Sequence, residues 1–181
     1  GIKPMLTLHH WDLPAALADV GGWRNRDIAD RFAELTTHVT DRIGDRMWAT
    51  GTFNGPWCTT WLSHFHGMHA PGLRDIRATA RALHHLLLAH AKSIAVMRDN
   101  GMNNLGIYLN FEPAQPALET QQSKTAAERY HAYYNQCFLE PLMGRGYPKL
   151  VLNGIEPHLP NGWEDDLPAF AAPLDWLGIN N

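Results

Sequence analysis

Cysteine is scarce in this chain. Its 181 residues hold two thiols, Cys58 and Cys137, in neither a Cys-x-x-Cys pair nor a metal-ligand spacing. A disulfide framework is therefore not expected, and both thiols are expected to be buried. No apolar run is long enough to span a bilayer. No charged-apolar-small leader opens the sequence, so the expected location is cytoplasmic. An excess of one charge sign is also missing: a formal net charge of −3 leaves no basic footprint for nucleic acid and no polybasic stretch for a membrane surface. There is no Walker loop, no Gly-x-Gly-x-x-Gly and no Gly-x-Ser-x-Gly, which removes the usual signatures of nucleotide, dinucleotide and serine-hydrolase chemistry. Eleven histidines are many, but no His-Glu-x-x-His occurs. The groups His64, His66, His69 and His84, His85, His90 lack an obvious carboxylate or fourth ligand, so neither metal nor cofactor is expected.

What is present is an ordinary globular composition, 45% hydrophobic and 18% charged, with a regular alternation of periods. Short apolar strands are predicted over 4–8, 47–53, 105–111 and 174–179. Between them, Ile28, Phe32, Leu35, Val39 and Ile43 mark a helix over 27–43. Ile76, Ala80, Leu83, Leu87, Ala91, Ile94 and Met97 mark a longer one over 74–100, with Gly101 placed to stop it. A third helical stretch covers 125–142, and 147–166 reads as a Pro/Gly-containing connection. Strand and helix in alternation predict parallel βα units, hence an α/β fold. Four such units are half of a (β/α)8 TIM barrel, which takes about 250 residues when complete. Residues 1–181 therefore read as one partial barrel domain, an incomplete part of a single barrel.

In such a barrel the chemistry sits at the C-terminal ends of the strands. His10, Asn54, Gly55, Asn110 and Asn180 all fall at predicted strand ends, where they would converge on one pocket. Thr52-Phe53-Asn54-Gly55-Pro56-Trp57 is the most specific segment. It resembles the fourth-strand motif of family 1 glycoside hydrolases, the β-glucosidase family, which reads Thr-x-Asn-Glu-Pro and then usually Trp; here Gly55 stands in the place of the Glu. Thr7-Leu8-His9-His10-Trp11-Asp12-Leu13-Pro14, Gly21-Gly22-Trp23, Asn25-Arg26 and Asp30-Arg31-Phe32 resemble the third-strand region. Gly67-Met68-His69-Ala70-Pro71-Gly72, the helix from His84 to Ala91, and Leu177-Gly178-Ile179-Asn180 follow in the family's order. The resemblance covers nearly the whole chain and implies the third to sixth βα units of the barrel.

The implied parent reaction is retaining hydrolysis of terminal β-D-glucosyl residues, with a β-glucoside or oligosaccharide as substrate. Such enzymes use two carboxyl groups about 5–5.5 Å apart, one a nucleophile and the other an acid and then a base. Gly55 offers neither proton nor base. The family's nucleophile segment, Thr-Glu-Asn-Gly, does not occur in the chain, so the chain as written is expected to be inactive. His10 resembles the residue that binds the sugar hydroxyls, and Asn54 the one that holds the 2-hydroxyl. Asn110 resembles a residue of the aglycone side, and Asn180 one that helps organise the carboxylates; Asn181 follows where the family usually has Tyr. Trp57 is expected near the substrate, with Trp11 in the wall, while Trp23, Trp48, Trp163 and Trp176 are expected to pack. Glu112, in Asn110-Phe111-Glu112-Pro113, echoes the acid motif at the wrong spacing and on the wrong strand, so it reads as a loop residue. The missing side chain at Gly55 is expected to leave a volume open to water or a small anion. Two other readings remain open: a sugar-binding pseudoenzyme without the acid/base, and cleavage of activated glucosides only.

Overall fold

The computed structural model describes residues 1–180, and Asn181 lies outside them. Four strands form one all-parallel sheet in the order β1 (Met5–His9), β2 (Ala49–Asn54), β3 (Leu105–Asn110) and β4 (Trp176–Asn180). After β1 come the short helix α1 (Ala15–Asp19) and α2 (Ile28–Ile43); after β2 comes α3 (Ile76–Asp99). After β3 come α4 (Gln121–His131) and α5 (Cys137–Leu142), joined by a π turn at Ala132–Gln136. This is an incomplete (β/α) barrel, as the alternation of periods predicts.

The 147–166 segment differs from expectation. It folds as α6 (Lys149–Ile155) and a 3-10 turn at Glu156–His158, and α7 (Trp163–Phe170) begins within it. Its prolines and glycines stand mostly at helix starts: Pro148 caps α6, and Gly162 caps α7 in the left-handed conformation. They punctuate the helices without abolishing them. In α2 the buried line is Ile28, Phe32, Thr36 and Thr40, while Leu35 is exposed. Hydrogen bonding makes that possible: Thr36 Oγ1 donates to the Phe32 carbonyl at 2.8 Å and bonds Ser93 Oγ at 2.9 Å.

α3 is the centre of the helix layer. The Asp75 carboxylate caps its start by accepting from the Arg77 N–H at 2.8 Å, and Gly101, left-handed at φ 74°, follows its end. Ala80, Leu83, Leu87, Ala91, Ile94 and Met97 are all buried. So are its three histidines, each with a hydrogen-bond partner. His90 Nδ1 shares a bond with Thr52 Oγ1 at 2.7 Å, and His85 Nδ1 bonds the Trp23 carbonyl at 2.9 Å. His84 bonds the Tyr147 hydroxyl at 3.1 Å and Asp166 at 3.0 Å. Arg26 meets the same carboxylate through two nitrogens at 2.6 and 2.7 Å. That fork, the leading cause, holds the Asp166 carboxyl down at about 2. Among the described residues, no three His, Cys, Asp or Glu side chains come together at metal-ligand spacing. No described helix is long and apolar enough to cross a membrane.

The sheet's other face is built from glycines opposed by aromatic rings. The Trp176 ring lies over Gly106, the Tyr108 ring over Gly178 and Gly51, and the two rings meet edge-on at 4.8 Å. A Cβ on Gly106 would sit 2.3 Å from Trp176, and one on Gly178 2.2 Å from Tyr108. Gly106→Ala or Gly178→Ala is therefore expected to destabilise the chain by about 1–3 kcal/mol through overpacking. Gly154 has open space around it inside α6. Gly154→Ala should stabilise by about 0.5–1 kcal/mol, and urea unfolding of the three variants compares the two signs directly.

Burial holds the His9 and His85 imidazoles at a pKa of about 4 and His90 at about 3, against 6.5 in an open chain. Between these values the unfolded chain binds more protons than the folded one. Stability is thus complete above about pH 6.5 and falls as pH drops toward 4, by at most about 1.4 kcal/mol per pH unit for each such histidine. Thermal melts at pH 7.5, 6, 5 and 4.5 should show a steepening loss, and a flat profile would contradict the neutral, buried state of these rings.

Candidate active site

β2 carries one more residue than β3 along the same stretch. Gly51 pairs with Gly106, but Asn54 pairs with Tyr108, so three steps on one strand match two on the other. Thr52 and Phe53 both sink into the helix layer, Thr52 onto His90 and Phe53 stacked on Phe32 at 4.7 Å. Asn54 is thereby turned toward β4, and its Oδ1 accepts from Asn180 Nδ2 at 2.8 Å. Asn110 is the register partner of Asn180.

Gly55 follows in the left-handed conformation at φ 64°. Its N–H donates to the Tyr108 carbonyl at 3.2 Å, and its own carbonyl accepts from the Cys58 N–H at 2.9 Å. A Cβ at this position would lie 3.0 Å from Asn110 Oδ1, 3.1 Å from Trp11 Nε1 and 3.4 Å from Cys58 Sγ. At the base of the volume expected to be open at Gly55, Asn110 and Trp11 lie close. Asn110 Oδ1 is buried there without a hydrogen-bond partner, and burial pushes the Cys58 thiol up.

Asn54, Gly55, Asn110 and Asn180 therefore meet at adjacent strand ends. His10 joins them only through its neighbour: it is exposed, and its ring packs edge-on against Trp11 at 5.0 Å. His9 lies the other way, buried against Trp23, Phe32 and Phe53. Trp57 does not face the site openly. Only 8% exposed, it packs on Tyr134 at 4.4 Å and edge-on to Tyr133. Trp11, expected in the wall, is 42% exposed, and its backbone is left-handed at φ 83°, a strained state for a bulky residue. Its indole N–H donates to the Asn54 carbonyl at 3.0 Å and its ring lies 4.9 Å from His69. The sequence gives no signal for that conformation.

Trp23 and Trp163 pack as expected, whereas Trp48 is exposed beneath the Lys3 ammonium. Glu112 is committed elsewhere: its carboxylate accepts from the Tyr130 hydroxyl, and Asn135 brackets its backbone. The model of glycosyl hydrolase family 1 matches residues 1–181. The chain belongs to glycosyl hydrolase family 1.

Within that family it is 40% identical to beta-glucosidase A of Thermotoga maritima over 182 residues, covering 99% of this chain and 41% of the relative. It is 39% identical to a beta-glucosidase of an Agrobacterium species, covering 39% of that protein. The solved Thermotoga maritima beta-glucosidase in complex with glucoimidazole superposes with a TM-score of 0.95 at 39% identity, over 99% of this chain and 41% of that one. The deoxynojirimycin complex gives 0.94. The chain thus spans about 40% of the length of the relatives it matches.

Gly55→Ala is expected to lower stability by about 1–2 kcal/mol, since it forces a side chain into left-handed backbone against two close neighbours. Chemical denaturation measures this, and an unchanged midpoint would mean that the turn relaxes freely.

Proposed function

We propose that these residues are part of a single β-glucosidase barrel, its third to sixth βα units, and that the parent protein hydrolyses terminal β-glucosides with retention. The observation that carries this reading is the convergence of Asn54, Asn110 and Asn180 around Gly55 at the strand ends. Three carboxamides on adjacent strands offer donors and acceptors suited to sugar hydroxyls, and bonds to the 2-hydroxyl strengthen as oxocarbenium character develops. The substrate class is a β-glucoside or β-linked oligosaccharide, with His10 and Trp11 on the rim. Two buried, unpaired thiols support a reducing, cytoplasmic setting.

With Gly55, the first step lacks its proton donor, and an alkyl or sugar alcohol leaves poorly without one. Nor does the chain hold the family's nucleophile segment, so no turnover is expected from it alone. The unpartnered Asn110 Oδ1 beside Gly55 supports the idea that a group is missing from an otherwise kept frame. It also favours a second reading, a sugar-binding protein in which glycine is native.

The deciding experiment completes the barrel with the flanking gene sequence and assays Gly55 and Gly55→Glu forms on methyl and 4-nitrophenyl β-glucosides. The Gly55 form should be slower by at least about 100-fold on the methyl glucoside. It should retain partial activity on the activated one, accelerated by azide, and Gly55→Glu should recover both. Equal turnover of methyl glucoside by the two forms would sink the missing-acid reading. Binding without turnover by both would favour the sugar-binding protein.

A further inference from the structure

The chain holds four Asn-Gly pairs, at 54–55, 100–101, 153–154 and 161–162. Such a pair is chemically labile, because glycine leaves its peptide nitrogen unhindered and its backbone free to rotate. When that nitrogen attacks the Asn Cγ, a C–N bond forms and the Cγ–Nδ2 bond breaks; the peptide proton goes to the leaving amide nitrogen, which departs as ammonia. The succinimide then takes up water at one of its two carbonyls. One opening gives aspartate and the other isoaspartate, whose main chain runs through Cβ and Cγ. The attack needs a peptide N–H that no acceptor holds and a carboxamide free to turn onto it. In three pairs the fold withholds both or one of these. The Gly55 N–H donates to the Tyr108 carbonyl at 3.2 Å, and Asn54 Oδ1 accepts from Asn180 at 2.8 Å. The Gly101 N–H donates to the Arg98 carbonyl at 2.9 Å, and Asn100 Nδ2 donates to Thr40 Oγ1 at 3.1 Å. Asn153 and Gly154 lie inside α6, where the Gly154 N–H belongs to the helical ladder. Asn161 and Gly162 differ: both are exposed, in the turn that leads into α7. That turn is closed outside the pair, by the Trp163 N–H on the Pro160 carbonyl at 3.2 Å. Among the described residues, no acceptor takes the Gly162 N–H and no partner holds the Asn161 carboxamide.

We propose that Asn161 is a site of spontaneous modification, converting with water to aspartate and isoaspartate while the fold preserves the other three pairs, and that the isoaspartyl form loosens α7. The proposal is independent of the sugar chemistry. Its consequence follows from what the turn supports. Isoaspartate adds a methylene to the main chain inside the turn that Trp163 closes. The new carboxylate also joins Glu164, Asp165 and Asp166 in the first turn of α7, adding like charge. Asp166 is the tie that holds this helix: it accepts both nitrogens of the Arg26 fork and bonds the His84 imidazole on α3. A lengthened chain five residues upstream displaces that carboxylate from partners set at fixed distances. At the strand end the same reaction would turn the Asn54 carboxamide into a carboxylate, and the bonds from Gly55 to Tyr108 and from Asn180 to Asn54 prevent it.

The test uses the barrel completed with the flanking gene sequence, with its fold checked by circular dichroism. It is incubated at mildly alkaline pH in buffer and, in parallel, in concentrated urea. Peptide mass spectrometry follows all four pairs, and fragmentation specific to isoaspartate identifies the product. In urea the four should convert at similar rates. In buffer Asn161 should convert at least about tenfold faster than each of the others, because theirs waits on a local opening that breaks hydrogen bonds. Asn161→Ser should remove the fast conversion and melt as the fresh protein does. After incubation in buffer, the unsubstituted barrel should melt lower than Asn161→Ser treated alike. Conversion in buffer led by another pair, or no faster at Asn161 than elsewhere, overturns the site. Equal melting of the two incubated proteins, with isoaspartate present at 161, overturns the loosening of α7.

Discussion

The site depends on one extra residue in β2. With regular alternation, Gly51 and Phe53 would share a face and Asn54 would point with Thr52 into the helix layer. The offset between β2 and β3 lets Thr52 and Phe53 enter that layer together and turns Asn54 across to Asn180. Both inserted side chains are repaid locally, Thr52 by His90 and Phe53 by the rings of Phe32, Trp23 and His9. Removing either partner would weaken the hold on the bulge and, through it, the direction of Asn54. Helix packing and site geometry are one problem here, solved at residues 52–54.

The two faces of the sheet obey different rules. The helix side is filled by aliphatic and aromatic carbon with a few buried imidazoles, of which His84 is bonded through both nitrogens and His9, His85 and His90 through one. His9, His85 and His90 leave Nε2 buried and unpartnered, and such a group disfavours its charged form strongly. The opposite side is filled by mutual exclusion, with large rings only where the next strand has glycine. Tyr108 and Trp176 can fill this space because Gly51, Gly106 and Gly178 have no Cβ, so the register among β2, β3 and β4 is fixed by shape as well as by backbone bonding.

The alternation of periods made the parallel βα order and its four strands legible, each strand within about two residues of its place, because apolar runs and helical spacing report burial directly. The strand-end amides were legible too, since a motif on a predicted strand carries its own position. Other features were not. Leu35 and Thr36 exchange roles because a threonine bonded within its helix and to Ser93 can be buried as an apolar residue is. The helices α6 and α7 hide behind Pro148, Gly162 and Pro168, which signal a loop when read singly. The surroundings of Trp11 and Trp57 were not legible because aromatic identity gives no direction: Trp57 is covered by tyrosines about 75 residues away, and Trp11 takes a left-handed backbone state that no local pattern announces.

Glycine at position 55 changes the chemistry of the strand end far more than its shape. The turn is held by backbone groups, the Gly55 N–H on Tyr108 and the Gly55 carbonyl accepting from Cys58 and Thr59. The Trp11 indole grips the Asn54 carbonyl on the other side. None of these bonds needs a side chain at 55. Left-handed backbone is also the state that glycine enters without penalty, so losing a side chain there removes strain while leaving the hydrogen bonds intact. A frame of this kind holds its amides in position whether or not an acid is present. On the proposed β-glucosidase reading, binding geometry and proton transfer are therefore separable at this site, and position 55 decides only the second.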